Sequence, residues 1–113
     1  MRAFFNSEEL SQLTYLYGTD ETIRILVTDE DGIPIDVSGT TNTLLVYTGA
    51  TRDATPAFTY TLNAVAGQDG QLEWVIPDNF TDLTIGSTSY LWVQIDAAGD
   101  ISLSRGASVL NVS

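Results

Sequence analysis

The chain contains no cysteine, histidine or lysine, and arginine supplies the only four cationic side chains among its 113 residues. Because the chain has no thiol groups, it cannot form disulfides, zinc–thiolate sites or iron–sulfur sites. Nucleophilic and acid–base catalysis at neutral pH usually recruits histidine, cysteine or lysine, so only carboxylates remain for such chemistry. The composition therefore predicts a protein that is not an enzyme and that needs no cofactor.

Positive charge is scarce throughout the chain. Fifteen acidic residues outnumber Arg2, Arg24, Arg52 and Arg105, and the formal net charge is -11. Nucleic acids and anionic lipids are bound by lysine and arginine, which neutralise their charge. We therefore expect no direct nucleic-acid or membrane binding, and we expect the charge to favour solubility at high local concentration.

Long hydrophobic runs are also missing. The first apolar residues, Ala3, Phe4 and Phe5, are followed at once by polar Asn6, whereas a signal peptide needs an apolar run of about 7–15 residues. We expect synthesis in the cytoplasm. At this length the chain forms one domain that buries roughly two-thirds of its unfolded surface.

Strict alternation of apolar and polar residues recurs along the chain, which is typical of half-buried β-strands. With turn signals at about 8–12-residue spacing, this predicts an immunoglobulin-like β-sandwich, with a closed small barrel as the alternative. About seven antiparallel strands are expected, over residues 13–17, 22–28, 43–48, 58–62, 72–76, 90–96 and 101–112.

Glycines mark the predicted turns between these strands. Asp31-Gly32 is expected to close one tight hairpin, and residues 67–70 a second, because glycine adopts positive φ without strain. Gly106 predicts a bulge in the last strand. Residues 77–86 lack the two-residue period and are expected to cross between strands, with Phe80 and Leu83 packed on the end of the core.

Residues 1–11 also lack a clear period. Asn6, with Glu9 three residues later, could cap a short helix. Phe4 and Phe5 come too early for the predicted sandwich, which is assigned to residues 12–113. The first eleven residues are therefore expected to form a short helix, a packed or disordered edge segment, or an arm that docks on a neighbouring subunit through Phe4 and Phe5.

Asp29, Asp31 and Asp36 form an acidic group that admits three interpretations. Two carboxylates could act as in a glycosidase, or several could bind Ca²⁺. However, carboxylates in a solvated hairpin keep ordinary pKa values, and Gly32 directly after Asp31 breaks the order of an EF-hand loop. We therefore favour turn formation by aspartate and glycine, with no metal bound.

Tyr90 and Trp92 alternate with Leu91 and Val93 and are expected on the opposite face of the same strand. Exposed aromatic side chains are enriched in protein interfaces and sugar-stacking sites. Arg52, in the loop over residues 49–56, is a candidate contact at the rim. Tyr90, Trp92 and Arg52 thus join Phe4 and Phe5 as predicted interface residues.

The order of turn and strand signals resembles small immunoglobulin-like domains of tailed-phage virions, such as the N-terminal domains of baseplate upper proteins. The resemblance covers residues 12–113. The matching segments are Tyr17-Gly18-Thr19-Asp20, residues 27–39, Gly67-Gln68-Asp69-Gly70 before Leu72, Leu83-Thr84-Ile85-Gly86 before Tyr90, and residues 106–112. The family usually has Leu-Thr-Gly where this chain has Val37-Ser38-Gly39.

This resemblance implies a structural protein without catalytic residues, located in the virion and assembled in the host cytoplasm. Domains of this family often head a longer fibre protein, so a chain ending at Ser113 is expected to be a capsid decoration or cement protein. Its expected partners are the major capsid protein, tail or baseplate proteins, or further copies of itself. The alternatives are a tail or baseplate attachment module and a carbohydrate-binding or adhesion domain.

Overall fold

The fold is all-β, with two five-stranded sheets in the part of the chain that the computed structural model describes, residues 2–9, 12–49, 55–97 and 102–112. Sheet I has the strand order β2-β1-β4-β8-β7, and sheet II the order β3-β10-β9-β5-β6. The strands are β1 (Arg2–Phe5), β2 (Glu8–Glu9), β3 (Gln12–Tyr15), β4 (Glu21–Thr28), β5 (Thr40–Thr48), β6 (Phe58–Thr61), β7 (Asn63–Ala64), β8 (Gln71–Ile76), β9 (Thr88–Ala97) and β10 (Ser102–Val112).

The two sheets share one hydrophobic core, built from alternate residues of their strands. This is the half-buried pattern that the sequence predicts, and burial of each large aliphatic side chain contributes about 1.5–3 kcal/mol. The central strands supply most of the core, through Ile23, Ile25 and Val27 in β4, Leu44 and Val46 in β5, Leu72, Trp74 and Ile76 in β8, and Leu91, Val93 and Ile95 in β9.

The prediction of a helix or a docking arm at the N-terminus is wrong for the residues that the structure describes there. Residues 2–5 form β1, which pairs antiparallel with β4 and buries Ala3 and Phe5 completely. Instead of capping a helix, the Asn6 side chain accepts a hydrogen bond from the Arg24 backbone N–H at 3.1 Å. Asn6 and Ser7 both have positive φ and turn the chain back into β2.

The described strands number ten rather than about seven. Apart from β1, the additional strands β2 and β7 are only two residues long, which is too short for alternation to be visible in a sequence. One of the described strand pairs, β3 with β10, is parallel rather than antiparallel. The chain changes sheet between β2 and β3, so the N-terminal strands contribute to both sheets.

The glycine turns lie where the sequence predicts them. Gly32 has φ 84° in the turn after β4, and an isolated bridge joins Thr28 to Pro34. Gly67 and Gly70, both with positive φ, close the hairpin between β7 and β8. The predicted bulge is confirmed by a register shift between Gly106 and Ser108 in β10.

The connection over residues 77–87 brings two of its side chains to the core, as predicted. Leu83 is buried, and Phe80 packs edge-on against Tyr15 and Trp74 with ring centroids 6.2 and 6.1 Å apart. Within the described ranges there is no helix that could cross a membrane.

Candidate functional site

An aromatic face covers the outer side of sheet II. It is formed by Leu45 and Tyr47 of β5 and by Tyr90 and Trp92 of β9, in which Leu45 is in register with Trp92 and Tyr47 with Tyr90. The alternate residues of both strands point into the core, so these four side chains lie on the opposite side of the sheet. We call these four residues the aromatic face.

The rings of this face form a continuous row. The centroids of Tyr47 and Tyr90 are 6.4 Å apart, and those of Tyr90 and Trp92 are also 6.4 Å apart. Aromatic pairs at such distances contribute about 0.5–1.5 kcal/mol beyond the area they bury. The row therefore forms a packed platform, with Tyr47 buried and Leu45, Tyr90 and Trp92 half-buried.

Trp92 is in register with a glycine on the neighbouring strand β10. The residue in register with Trp92 on this strand is Gly106, immediately before the bulge. Glycine presents no side chain at this pairing position. An aromatic ring next to a strand glycine is a known way to stabilise a weak pairing position.

The aromatic face has little charge. The outward positions that continue it toward the other end of β5 and β9 are Thr43, Gln94 and Asp96, and the Gln94 amide donates to the Asp96 carboxylate at 3.1 Å. Rings, an aliphatic side chain and hydroxyl groups can form apolar contacts, stacking and single hydrogen bonds. They provide no pair of groups suited to proton transfer or nucleophilic attack.

The structure separates the predicted interface residues. Phe4 is half-buried on the outer side of sheet I, and the Arg2 guanidinium carbon lies 5.1 Å from the centroid of its ring. Phe5 is 0% exposed, so the prediction that it contacts a partner is wrong for the folded chain. Arg52 lies outside the described residues. Tyr90 and Trp92 are thus brought together, with Phe4 on the other side of the molecule.

Leu45 and Tyr47 were missed as candidates. The run Leu44-Leu45-Val46-Tyr47 is apolar on both faces of a strand, and the sequence predicts from it a central strand that is covered on both sides or that meets a partner. β5 does lie between β9 and β6. The pairing of Tyr47 with Tyr90 depends on the β5–β9 register, which no local pattern specifies.

The acidic turn uses its carboxylates to fix the backbone. The Asp29 carboxylate accepts hydrogen bonds from the backbone N–H groups of Asp31, at 2.9 Å, and Ile33, at 3.0 Å. Asp36 accepts from the Ser38 hydroxyl at 2.7 Å and from its N–H at 3.0 Å. These Ser38 hydrogen bonds lower the pKa of Asp36. In the described part of the chain, no three acidic side chains are grouped as a metal site.

A second aromatic cluster lies at the edge of the core rather than on the outer side of a sheet. Tyr60 stacks on Trp74 with ring centroids 5.2 Å apart, and its hydroxyl donates to the Asp82 carboxylate at 2.7 Å. Burial, together with the hydrogen bond to Asp82 and the charge of this residue, raises the pKa of Tyr60 well above its usual range. This hydrogen bond fastens the 77–87 connection to β6.

No protein-family model matches this chain, and a comparison with curated proteins finds no significant relative. The fold and the aromatic face describe a small acidic all-β protein with a partly accessible aromatic surface on one sheet. Its function is inferred from its residues and their geometry.

Proposed function

We propose that this protein is a non-enzymatic structural protein of a tailed-phage virion, and that it decorates or cements the capsid. The observation that carries the proposal is the aromatic face on sheet II. Aromatic side chains are enriched in protein interfaces, and charged side chains are depleted at the centre of such interfaces. Leu45, Tyr90 and Trp92 have this composition and are partly accessible on one sheet.

The strand order supports an immunoglobulin-like assignment. In that fold, one sheet has the strand order A-B-E-D and the other contains C, F and G, with C′ added in variable-type domains. The order β1-β4-β8-β7 corresponds to A-B-E-D, and β10-β9-β5-β6 corresponds to G-F-C-C′. The parallel pairing of β3 with β10 extends the second sheet.

The chemistry of the chain favours assembly over catalysis. It has no histidine, cysteine or lysine, and the carboxylates of Asp29 and Asp36 are engaged by backbone N–H groups. A cofactor has no role in the proposed function.

We propose the major capsid protein as the partner, with the decorated virion, assembled in the host cytoplasm, as the location. Many copies on one particle would provide avidity from a modest interface on each copy. The net charge of -11 would keep free copies soluble before assembly. The charge also disfavours nucleic acids and membrane surfaces as partners. If copies of the protein form homo-oligomers on the particle, the capsid lattice would hold them together.

The test is binding to capsids assembled from the major capsid protein of the same genome, without other decoration proteins. We expect saturable co-sedimentation at a fixed number of copies per capsid. Trp92→Ala and Tyr90→Ala should each weaken binding about tenfold or more, as expected for aromatic residues at the centre of an interface. Val75→Ala is the matched control, because Val75 is 53% exposed on sheet I, and should bind as the wild type does.

The alternatives correspond to different outcomes of the same experiment. Binding to tail or baseplate assemblies, with no binding to capsids, would identify an attachment module and overturn the capsid assignment. Binding to a glycan array that is lost in Trp92→Ala would instead identify a carbohydrate-binding domain that stacks sugars on Tyr90 and Trp92. Capsid binding that is unchanged in both aromatic variants would exclude the aromatic face as the contact surface.

A further inference from the structure

A shallow groove of about 320 Å³ lies on the outer side of sheet I, away from the aromatic face. Phe4 and Leu26 are in register on β1 and β4, and Gln71 is in register with Leu26 on β8. Arg24 and Ser7 also line the groove. The groove thus combines two apolar side chains with a cation, an amide and a hydroxyl group.

Arg24 gives this groove a positive charge in a strongly acidic chain. Its side chain is 52% exposed, and its Nη2 lies 3.5 Å from the Oε2 of Glu73. Arginine has five N–H donors arranged to bind a carboxylate with two parallel hydrogen bonds. The contact with Glu73 is a single one and is long, so it uses one guanidinium nitrogen weakly. The other N–H donors of Arg24 can therefore bind a second carboxylate.

Ser7 occupies the groove at a conformational cost. It has φ 73° and follows Asn6, with φ 49°, in the turn between β1 and β2. Two-residue hairpin turns with positive φ at both positions favour asparagine followed by glycine. Serine in the second position is strained where glycine would not be. Strained residues are often kept at ligand sites, and this serine adds a hydroxyl group to the groove.

The turn is also fastened directly to the strand that presents Arg24. The Asn6 backbone N–H donates to the Arg24 carbonyl at 2.8 Å, and the Arg24 N–H donates to the Asn6 side chain at 3.1 Å. Ser7 and Arg24 are therefore held on the same side of the groove by adjacent parts of the backbone. A preorganised arrangement of this kind reduces the entropy lost on binding.

We propose that this groove binds a peptide segment in which an aspartate or glutamate follows an apolar residue. The carboxylate binds Arg24, and the apolar side chain packs on Phe4 and Leu26. We choose this ligand because its charge and polarity complement the groove, in which the Arg24 cation lies beside the apolar side chains of Phe4 and Leu26. Its volume is at the lower end for ligand pockets and matches one or two residues. The inference is independent of the function proposed for the aromatic face.

The probe is the dipeptide Ac-Leu-Asp-NH2, titrated into the ¹⁵N-labelled full chain and followed by NMR chemical shifts. We expect saturable shifts in the backbone amides of Phe4, Ser7 and Arg24 and in the Arg24 Nε–H. Ac-Leu-Asn-NH2 is the matched control peptide and should bind at least fivefold more weakly, because it lacks the charge. Arg24→Gln should weaken binding of the aspartyl peptide by a similar factor.

Two further variants test the geometry. Glu73→Gln removes the carboxylate that competes for Arg24 and should tighten binding of the aspartyl peptide about threefold. Asp78→Asn makes the same change in net charge in the exposed connection after β8 and should alter binding much less. Ser7→Gly should raise the melting temperature, because it relieves the strained φ, and should weaken peptide binding.

Several results would overturn the proposal. One is equal binding of the aspartyl and asparaginyl peptides, and another is the absence of shifts around the groove. An equal gain in affinity in Glu73→Gln and Asp78→Asn would assign the effect to net charge. If Arg24→Gln does not fold, the Glu73 and Ser7 variants still decide the question.

Discussion

Gly70 lies where the hairpin between β7 and β8 approaches the end of β4. Its carbonyl accepts a hydrogen bond from the Val27 N–H at 2.9 Å, and its φ is 73°. A Cβ atom at this position would lie 2.6 Å from the Val27 carbonyl oxygen and 3.0 Å from Pro34 Cβ. Glycine is therefore required here both for the backbone conformation and for the close approach of two chain segments.

Gly70→Ala should lower the free energy of unfolding by about 3 kcal/mol or more, because it adds a steric clash to the strain of a positive φ. Gly67→Ala is the matched control. Gly67 has φ 75° but open space around it, so this variant should lose only about 1–2 kcal/mol. Urea denaturation measures both, and equal losses would contradict the role assigned to the close approach.

Tyr60 makes the stability of the fold depend on pH in the alkaline range. Its folded-state pKa is raised, chiefly by burial, whereas an unfolded tyrosine titrates near pH 10. The neutral hydroxyl therefore stabilises the fold fully below about pH 10, and this contribution is lost as the pH rises above that value. The free energy of unfolding should fall above pH 10, and it should fall less steeply in Tyr60→Phe.

Tyr90→Phe is the control for this measurement, since it removes a phenol without touching the Tyr60 hydrogen bond to Asp82. At neutral pH, Tyr60→Phe should cost about 1 kcal/mol, the usual net contribution of one hydrogen bond. Urea denaturation from pH 7 to pH 11 gives these values. Identical pH dependence in Tyr60→Phe and in the wild type would refute the assignment.

At the scale of elements, β1 is a packed strand where the sequence left a short helix, a packed edge segment and a docking arm open. Arg2-Ala3-Phe4-Phe5 alternates outward and inward, with Ala3 and Phe5 buried and Phe4 half-buried. Four residues are a short sample of a two-residue period, and the pairing of this segment with β4 identifies it as a strand. β4 supplies that partner, since every residue of β1 is in register with one of its residues.

Phe5→Ala should destabilise the fold by about 3–5 kcal/mol, because it leaves a cavity between the two sheets. Phe4→Ala should cost about 1 kcal/mol, because its ring is half-buried on the outer side of sheet I. The two neighbouring positions thus distinguish a core strand from a free arm. Thermal unfolding of both variants measures the difference, and small effects at both positions would support the arm.

The edges of both sheets are formed by short strands. β2 and β7 have two residues each, and β3 and β6 have four. Short edges offer few unpaired backbone groups to another chain and so limit edge-to-edge aggregation. Together with the charge, these short edges agree with the proposed function, in which free copies stay dispersed before assembly. Contacts through the outer side of a sheet are consistent with such edges.

At the scale of the whole molecule, the net charge of -11 opposes the compact state, because like charges are brought closer together on folding. Salt screens this repulsion, with a Debye length that falls from about 30 Å at 0.01 M to about 3 Å at 1 M. Raising NaCl from about 0.01 M to about 0.5 M should therefore increase the free energy of unfolding. The measurement is urea denaturation at each salt concentration.

A matched series in KCl separates screening from ion-specific effects, since both salts should act alike if screening is the cause. A free energy of unfolding that does not change, or that falls with salt, would show that the attractive pairs outweigh the repulsion. The pair between Arg24 and Glu73 is partly exposed and would contribute little to that outcome.

The sequence by itself determined the all-β class, the strand periods of β3 to β6 and β8 to β10, the glycine turns and the bulge at Gly106. These features depend on neighbours in the chain, such as the two-residue alternation of Ile23, Ile25 and Val27 or the conformational freedom of Gly32. The same alternation assigned Tyr90 and Trp92 to the side of β9 that faces away from the core.

Only the tertiary structure decided which distant segments meet. The pairing of β1 with β4, the parallel pairing of β3 with β10, and the register that joins Tyr47 to Tyr90 connect residues far apart in the chain. So does the groove that joins Phe4, Arg24 and Gln71. These segments meet because the two sheets bury their inner faces against each other in one core. That burial is a property of the whole chain, which no local sequence pattern contains.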